Sequence, residues 1–262
     1  MRRGRRRGST RRGPRVVTVA AVVTAAGSGT RLGRDLPKAL VPIGGTPLVA
    51  WAASSLAAVC EQVVVTAPAE HLDAFRDAVA HVAADVTVVA GGDTRQASVA
   101  LGLASVRDDA EQILVHDAAR AFMPVAVAGR ALAALDADPS AMDDAAAMDD
   151  PAAMDDAAAA GGADGCIPVL PVVDTIVSTA GGALTYLKRP ELGAVQTPQA
   201  FRASALRDAH ARAQAEGFEG TDDGSLLAAY GYRVVTCEGD PEGRKITYPE
   251  DVDHFERRLA RA

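Results

Sequence analysis

The sequence predicts an α/β fold, and three observations carry that expectation. Short runs rich in Val, Ile and Thr alternate with Ala-rich stretches of helical length, the first runs are apolar enough to be buried on both sides, and a glycine-rich turn directly follows the first of them. Together they imply a Rossmann-like, mostly parallel sheet with helices on both faces, whose ligands sit at the carboxyl ends of the strands. The β-branched runs place strands at 16–24, 62–66, 86–89, 112–116, 165–170 and 233–237. The Ala-rich stretches between them place helices at 46–59, 70–80, 98–106 and 125–135.

Two segments break the alternation. Residues 141–158 repeat a six-residue unit three times (AMDDAA, AMDDPA, AMDDAA). That period fits no helical stripe, and Ala and Asp are poor strand formers, so a solvated, disordered surface insertion is expected. Residues 174–189 read as a β-hairpin arm turning at Gly181-Gly182. A two-stranded hairpin is only marginally stable in water, so the arm needs a surface to lie on, and another subunit is a good candidate.

Composition sets the remaining bounds. With 262 residues, 48% hydrophobic and only 4% aromatic, the chain fits one large α/β domain, spanning 16–262, with an aliphatic core. Cys60, Cys166 and Cys237 are odd in number and lack Cys-x-x-Cys spacing, which excludes a disulfide framework or zinc knuckle and points to a reducing cytoplasm. The net charge of −7 conceals an acid-free tail, 1–15, with eight Arg, and a base-free stretch, 136–156, with eight Asp. The body stays mildly acidic, which argues against a nucleic-acid partner, and the tail reads as a disordered, solvated end. Tail plus first apolar run imitates a secretory signal. The run is too short to span a bilayer, so no membrane partner is expected, and cleavage near Ala26 would delete the strand that positions the glycine turn.

That turn, Ala25-Ala-Gly-Ser-Gly-Thr-Arg-Leu-Gly-Arg-Asp-Leu-Pro-Lys38, is the sharpest chemical signal. Glycines after a buried strand expose backbone N–H groups that can cradle phosphate. The spacing matches neither the Walker loop nor the dinucleotide fingerprint, and what it adds is a pair of cations, Arg31 and Lys38. Only three of the 27 Lys and Arg are Lys (Lys38, Lys188, Lys245), so a lysine here is informative: its compact ammonium suits a crowded phosphate cluster better than a planar fork. Gly91-Gly-Asp-Thr-Arg-Gln-Ala-Ser98 offers a second loop opening a helix, although Thr94 as an N-cap explains much of it. In His116-Asp-Ala-Ala-Arg120, His116 reads as a buried structural histidine, while Asp117 and Arg120 belong at a strand's carboxyl edge. Gln196-Thr-Pro-Gln199, Thr221-Asp-Asp-Gly-Ser225 and Lys245-Ile-Thr-Tyr-Pro-Glu-Asp251 each admit a simple capping explanation.

In this order, the motifs AAGSGTRLG…PK, AGGDTRQAS, VHDAAR, DT, R…QTPQAF, TDDGSL and KIT.PED resemble the 2-C-methyl-D-erythritol 4-phosphate cytidylyltransferase family over roughly Val16 to Leu259. Ala39, Ala121 and Gly243 stand where that family often has Gln, Pro and Asn. The resemblance implies transfer of CMP from CTP to methylerythritol phosphate with Mg²⁺, held mainly through the CTP phosphates. It gives Arg31 and Lys38 the CTP phosphates, Lys245 and Arg189 the acceptor phosphate, and Ala25, Ala26, Gly27, Gly29, Gly92, Asp93 and Ser98 the nucleotide. Asp117, Arg120, Thr175, Thr197 and Thr221 would line the acceptor pocket. It also implies a homodimer in which the arm carries Thr175 and Arg189 to the neighbour's site. A pentitol phosphate cytidylyltransferase is the nearest alternative; a module that binds nucleotide without catalysis, or a tail that binds nucleic acid, is the alternative of another class.

Overall fold

The computed structural model describes residues 17–27, 32, 36–137, 162–182 and 184–261. The Arg-rich tail, the repeat at 141–158, Gly29 and Arg31 lie outside the described residues.

Strands β1 (Val19–Thr24), β4 (Gln62–Ala67), β5 (Asp85–Ala90) and β6 (Gln112–Asp117) form the parallel half of an eight-stranded sheet, in the order β5-β4-β1-β6. Every residue of β4 and β6 is buried, as the apolar runs require for strands covered on both faces. Beyond β6 the sheet becomes mixed. β7 (Gly165–Pro171) and β12 (Val234–Glu238) run parallel to each other, and the short β10 (Gly193–Val195) and β11 (Gln199–Arg202) run against them, with β11 wedged between β6 and β7. β10 and β11 carry no alternating apolar signal and were not among the predicted strands.

Successive residues of β1 and its neighbours point to opposite faces, so two cores form. Ala21, Val23, Val63, Val65 and Leu114 pack against α1 (Leu48–Leu56), α2 (Leu72–Val79) and α4 (Val125–Asp136). Ala20, Val22, Val64, Ile113 and Val115 pack against α3 (Arg95–Leu103), α5 (Ala203–Glu216) and α6 (Asp223–Ala229). A third cluster lies under the last helix, α7 (Pro249–Leu259), where Phe255 stacks on Phe122 with ring centroids 4.5 Å apart.

Boundaries differ from the sequence expectation for local reasons. The expected helix from 46 begins only at Leu48, because Thr46–Pro47 (β3) pairs with Pro42–Ile43 (β2) in a small hairpin. The helix expected from 98 starts at Arg95, since the Thr94 hydroxyl accepts the Ala97 N–H and caps it three residues earlier. The predicted arm is present: β8 (Val177–Ser178) and β9 (Thr185–Tyr186) pair antiparallel, and Gly181 and Gly182 both have positive φ. Among the described residues no helix is long and apolar enough to cross a membrane.

At Gly102 of α3 the helix lies close against the sheet. A methyl group there would come within 2.6 Å of Val22 Cγ1 and 3.0 Å of Thr66 Cγ2, both on stiff β-branched side chains in the buried sheet. Gly102→Ala therefore destabilises the fold by about 1–3 kcal/mol despite the better helix propensity of Ala, and a lowered urea midpoint at unchanged m-value is the expected observation.

Candidate active site

The carboxyl ends of β1 and β6 are adjacent, with β4 continuing on the far side of β1, so the sheet's topology switches direction between them. Here the loops after two neighbouring strands part and leave a crevice. Two cavities, of about 320 and 590 Å³, occupy it and share Arg95, Asp117 and Lys245 in their walls.

Residues 25–27 from the glycine turn, Lys38, Gly92, Asp93, Ser98 and Lys245 line the smaller cavity. Its two loops approach closely because residue 91 has no side chain: a Cβ there would stand 2.6 Å from the Ala26 Cβ and 3.0 Å from Ser98 Oγ. The Ser98 hydroxyl in turn accepts the Gly92 N–H at 3.1 Å and shapes the rim of the loop. Lys38 enters on a short 3-10 turn after Pro37, and its neighbours Ala39 and Leu40 are buried, so the turn is held from below. The larger cavity is lined by Arg120, Thr197, Gln199, Thr221 and Asp222, among others.

Asp117, the last residue of β6, sits where the cavities meet. Its Oδ1 accepts from Thr24 Oγ1 at 3.2 Å and from Arg95 Nε at 3.1 Å, and its Oδ2 accepts from Lys245 Nζ at 2.6 Å. Burial alone would raise its pKa, but the adjacent Arg95 and Lys245 charges outweigh that and hold the carboxyl well below the usual carboxylate range. Held on the ionised side by these neighbours, Asp117 is a negative pole that positions cations.

His116 is buried one residue before it. Its Nδ1 lies 3.0 Å from Thr197 Oγ1, within hydrogen-bond distance, and that hydroxyl also accepts the Asp117 N–H at 3.0 Å. This matches the structural reading of His116. It also shows that Thr197 steadies the end of β6, besides facing the larger cavity. Arg120 is similarly committed, donating to Gly243 O at 2.9 Å and Val195 O at 3.0 Å.

The sequence-predicted residues Ala25, Ala26, Gly27, Lys38, Gly92, Asp93, Ser98, Asp117 and Lys245 thus converge, and Arg120, Thr197 and Thr221 adjoin them across Asp117. Thr175 and Arg189 do not join them: both are exposed on the arm and line neither cavity. Sequence reading missed Arg95. A signal was present, because an arginine in the first turn of a helix opposes the helix dipole and calls for a local carboxylate. Gly243, one of the departures from the family pattern, also has a physical reason: a Cβ there would collide with the Met123 side chain, which fills the space.

A family profile described as 2-C-methyl-D-erythritol 4-phosphate cytidylyltransferase (IspD) matches residues 19–158 and 142–261. The enzyme of that name from Rhodococcus opacus is 41% identical over 245 residues, covering 92% of this chain and 93% of its own length. The bifunctional enzyme IspD/IspF of Clavibacter michiganensis is 43% identical over 257 residues, which cover 95% of this chain but only 55% of the relative, so the chain spans about half its length. Among solved structures, the 2-C-methyl-D-erythritol 4-phosphate cytidylyltransferase of Thermus thermophilus superposes with a TM-score of 0.68 at 31% identity, covering 94% of this chain and all of that one.

The burial of His116 makes stability depend on pH. Burial chiefly, opposed by the Asp117 charge and assisted by that of Arg120, moves its pKa from 6.5 down to about 4. Between these values the unfolded chain binds a proton that the folded chain refuses, so the stabilisation is complete above the unfolded pKa and is lost as pH falls toward the folded one. The loss reaches about 3 kcal/mol. Urea unfolding of the wild type should weaken steeply between about pH 6.5 and 4.5, and His116→Gln should flatten that decline.

Proposed function

The chain belongs to the 2-C-methyl-D-erythritol 4-phosphate cytidylyltransferase family and is a nucleotidyltransferase of isoprenoid-precursor synthesis; we propose that its two joined cavities bring CTP and 2-C-methyl-D-erythritol 4-phosphate together for direct transfer of CMP. One observation carries this reading of the site: Lys38 and Lys245, 207 positions apart in sequence, face one cavity together with the glycine turn and the Gly92–Ser98 loop.

The chemistry explains why cations rather than bases line the site. A phosphate monoester has a second pKa of about 6, so the acceptor is already largely dianionic at neutral pH and needs no proton removed. An acceptor phosphate oxygen attacks the α-phosphorus of CTP, the bond from that phosphorus to the bridging β-oxygen breaks, and pyrophosphate leaves. What opposes the step is repulsion between two anions. Lys38 and, by family resemblance, Arg31 neutralise the nucleotide phosphates, while Lys245, held on Asp117 at the cavity junction, meets the acceptor phosphate. Ala25, Ala26, Gly92, Asp93 and Ser98 hold the cytidine end.

Mg²⁺ fits this donor set as a substrate-borne ion. Among the described residues no three His, Cys, Asp or Glu side chains converge on a metal-sized site, which suits an ion carried mainly by the CTP phosphates, with Asp117 as the carboxylate at the cavity junction. When bound, the ion supplies further charge neutralisation on the phosphates. The arm fits a homodimer: Val173 just before it and Leu184 and Tyr186 within it are exposed apolar side chains that a second copy of the chain would cover while receiving Thr175 and Arg189. The three free thiols suit a reducing cytoplasm.

Pyrophosphate release from CTP should be supported by methylerythritol phosphate and not by ribitol 5-phosphate; equal or greater turnover with ribitol phosphate would assign a different acceptor. Lys38→Ala should lower turnover roughly 10²- to 10³-fold, the scale for loss of one preorganised charge stabiliser. Mixing inactive Lys38→Ala and Arg189→Ala chains should restore part of the activity, because a mixed dimer holds one complete site. Proven subunit exchange without recovery would place each site within a single chain.

A further inference from the structure

Arg95 is connected beyond the two cavities. Its Nε donates to Asp117 and its Nη1 donates to Asp223 Oδ2 at 2.6 Å, so one guanidinium bridges two carboxylates that lie 106 positions apart in sequence. Asp223 is 1% exposed at the start of α6, and its other oxygen is 2.9 Å from His210 Nε2 on α5. Burial raises the Asp223 pKa, but the His210 hydrogen bond and the Arg95 charge more than offset this and keep it ionised below the ordinary carboxylate range. The result is an alternating chain of charges, Lys245, Asp117, Arg95 and Asp223, with the His210 ring within hydrogen-bond distance of its last member. Meanwhile Arg95 Nη2 is buried without a partner among the described residues. Nη2 is the fork partner of Nε, so Arg95 grips Asp117 with one bond and not two.

We propose that Asp223 and Arg95 are a positioning pair for the transfer reaction: by anchoring Nη1, Asp223 fixes the orientation of the guanidinium so that only Nε reaches Asp117, through Oδ1, and Asp117 Oδ2 is left to present Lys245. The inference rests on the functional reading given above, since it concerns how Lys245 comes to face the acceptor phosphate. Its physical basis is competition. A guanidinium with one carboxylate available grips it with both arms. With Nη1 released from Asp223, the guanidinium can turn until its Nε and Nη2 close on both oxygens of Asp117, and the Lys245 ammonium would lose its 2.6 Å contact. The fork geometry is essential, because a lysine at 95 would keep the charge but could not span both carboxylates.

The test uses the full-length enzyme with two readouts. In Asp223→Asn and in Arg95→Lys, kcat/KM for methylerythritol phosphate should fall roughly 10-fold or more, the scale for losing a charged hydrogen-bond partner, with a smaller change in KM for CTP. If Asp223 acts through Arg95, Asp223→Asn added to Arg95→Ala should cost less than about twofold further. Full multiplication of the two effects would overturn the inference, as would wild-type kcat/KM in folded Arg95→Lys. Should Asp223→Asn not fold, the Arg95→Lys result decides alone. The second readout is independent of turnover. The chain has only three lysines, so side-chain NMR of lysine-labelled protein resolves Lys245 directly. Its signal should move in Asp223→Asn and Arg95→Lys toward its position in Asp117→Asn, and an unmoved signal would overturn the pairing even if the substrate assignment were wrong. A wild type inactive with methylerythritol phosphate, but with the Lys245 signal moving as stated, would reject the substrate and keep the pairing.

Discussion

The site depends on one carboxylate. Asp117 closes the central strand β6 and is asked to hold a hydroxyl from β1, a guanidinium from α3 and an ammonium from the segment before α7. These three donors come from parts of the chain that local forces would never bring together. A buried carboxylate costs several kcal/mol unless charges and hydrogen bonds compensate it, so the fold is strongly biased toward the one arrangement in which all three arrive. The same arrangement leaves two cations, Arg95 and Lys245, in the walls of both cavities, and this is what a reaction between two anions requires.

Lys245 is steadied from both sides. Ahead of it, Asp240 caps a short turn, with its side chain accepting the Glu242 N–H, while Gln196 exchanges two hydrogen bonds with the Asp240 backbone. Behind it, the buried Asp251 of α7 accepts the N–H groups of Thr247 and Tyr248 and pairs with Arg244 at 2.8 Å. The tetrapeptide Gln196-Thr-Pro-Gln199 acts as a common brace: Gln196 holds this segment, Thr197 holds Asp117 and His116, and Gln199 donates to Asp222 at the head of α6 at 2.6 Å. Motifs that look like separate capping signals in the sequence are in space one hydrogen-bonded frame.

That contrast defines what the sequence made legible. Parallel strands announced themselves because burial on both faces forces a continuous apolar run, as in β4 and β6, and the glycine turn did so because close backbone approach tolerates few other residues. β10 and β11 did not. They are short, they follow a polar motif, and their pairing is decided by the neighbours β6 and β7 rather than by their own pattern. Lys38, Asp117 and Lys245 could be singled out one by one from residue type and position. The link through Arg95 to Asp223 and His210 could not, since it joins α3, α6 and α5 and exists only once the helices have packed on one face of the sheet.

A site of fixed charges also explains why the surrounding frame is so heavily hydrogen-bonded. Cations that stabilise a transition state must already be oriented when charge develops, because energy spent on turning them during the step would raise the barrier. Long lysine side chains are poor at this by themselves, being flexible and strongly hydrated. Here the restraint is supplied externally: Asp117 fixes the tip of Lys245, Asp251 fixes the chain just beyond it, and Arg120 ties Gly243 and Val195 to the end of β6. Gly243 and Met123 fit the same logic, since a bulkier residue at 243 would push the segment away from Arg120 unless Met123 withdrew. At this position the Met123 side chain takes the volume that a side chain at 243 would need, and the backbone stays within reach of Arg120.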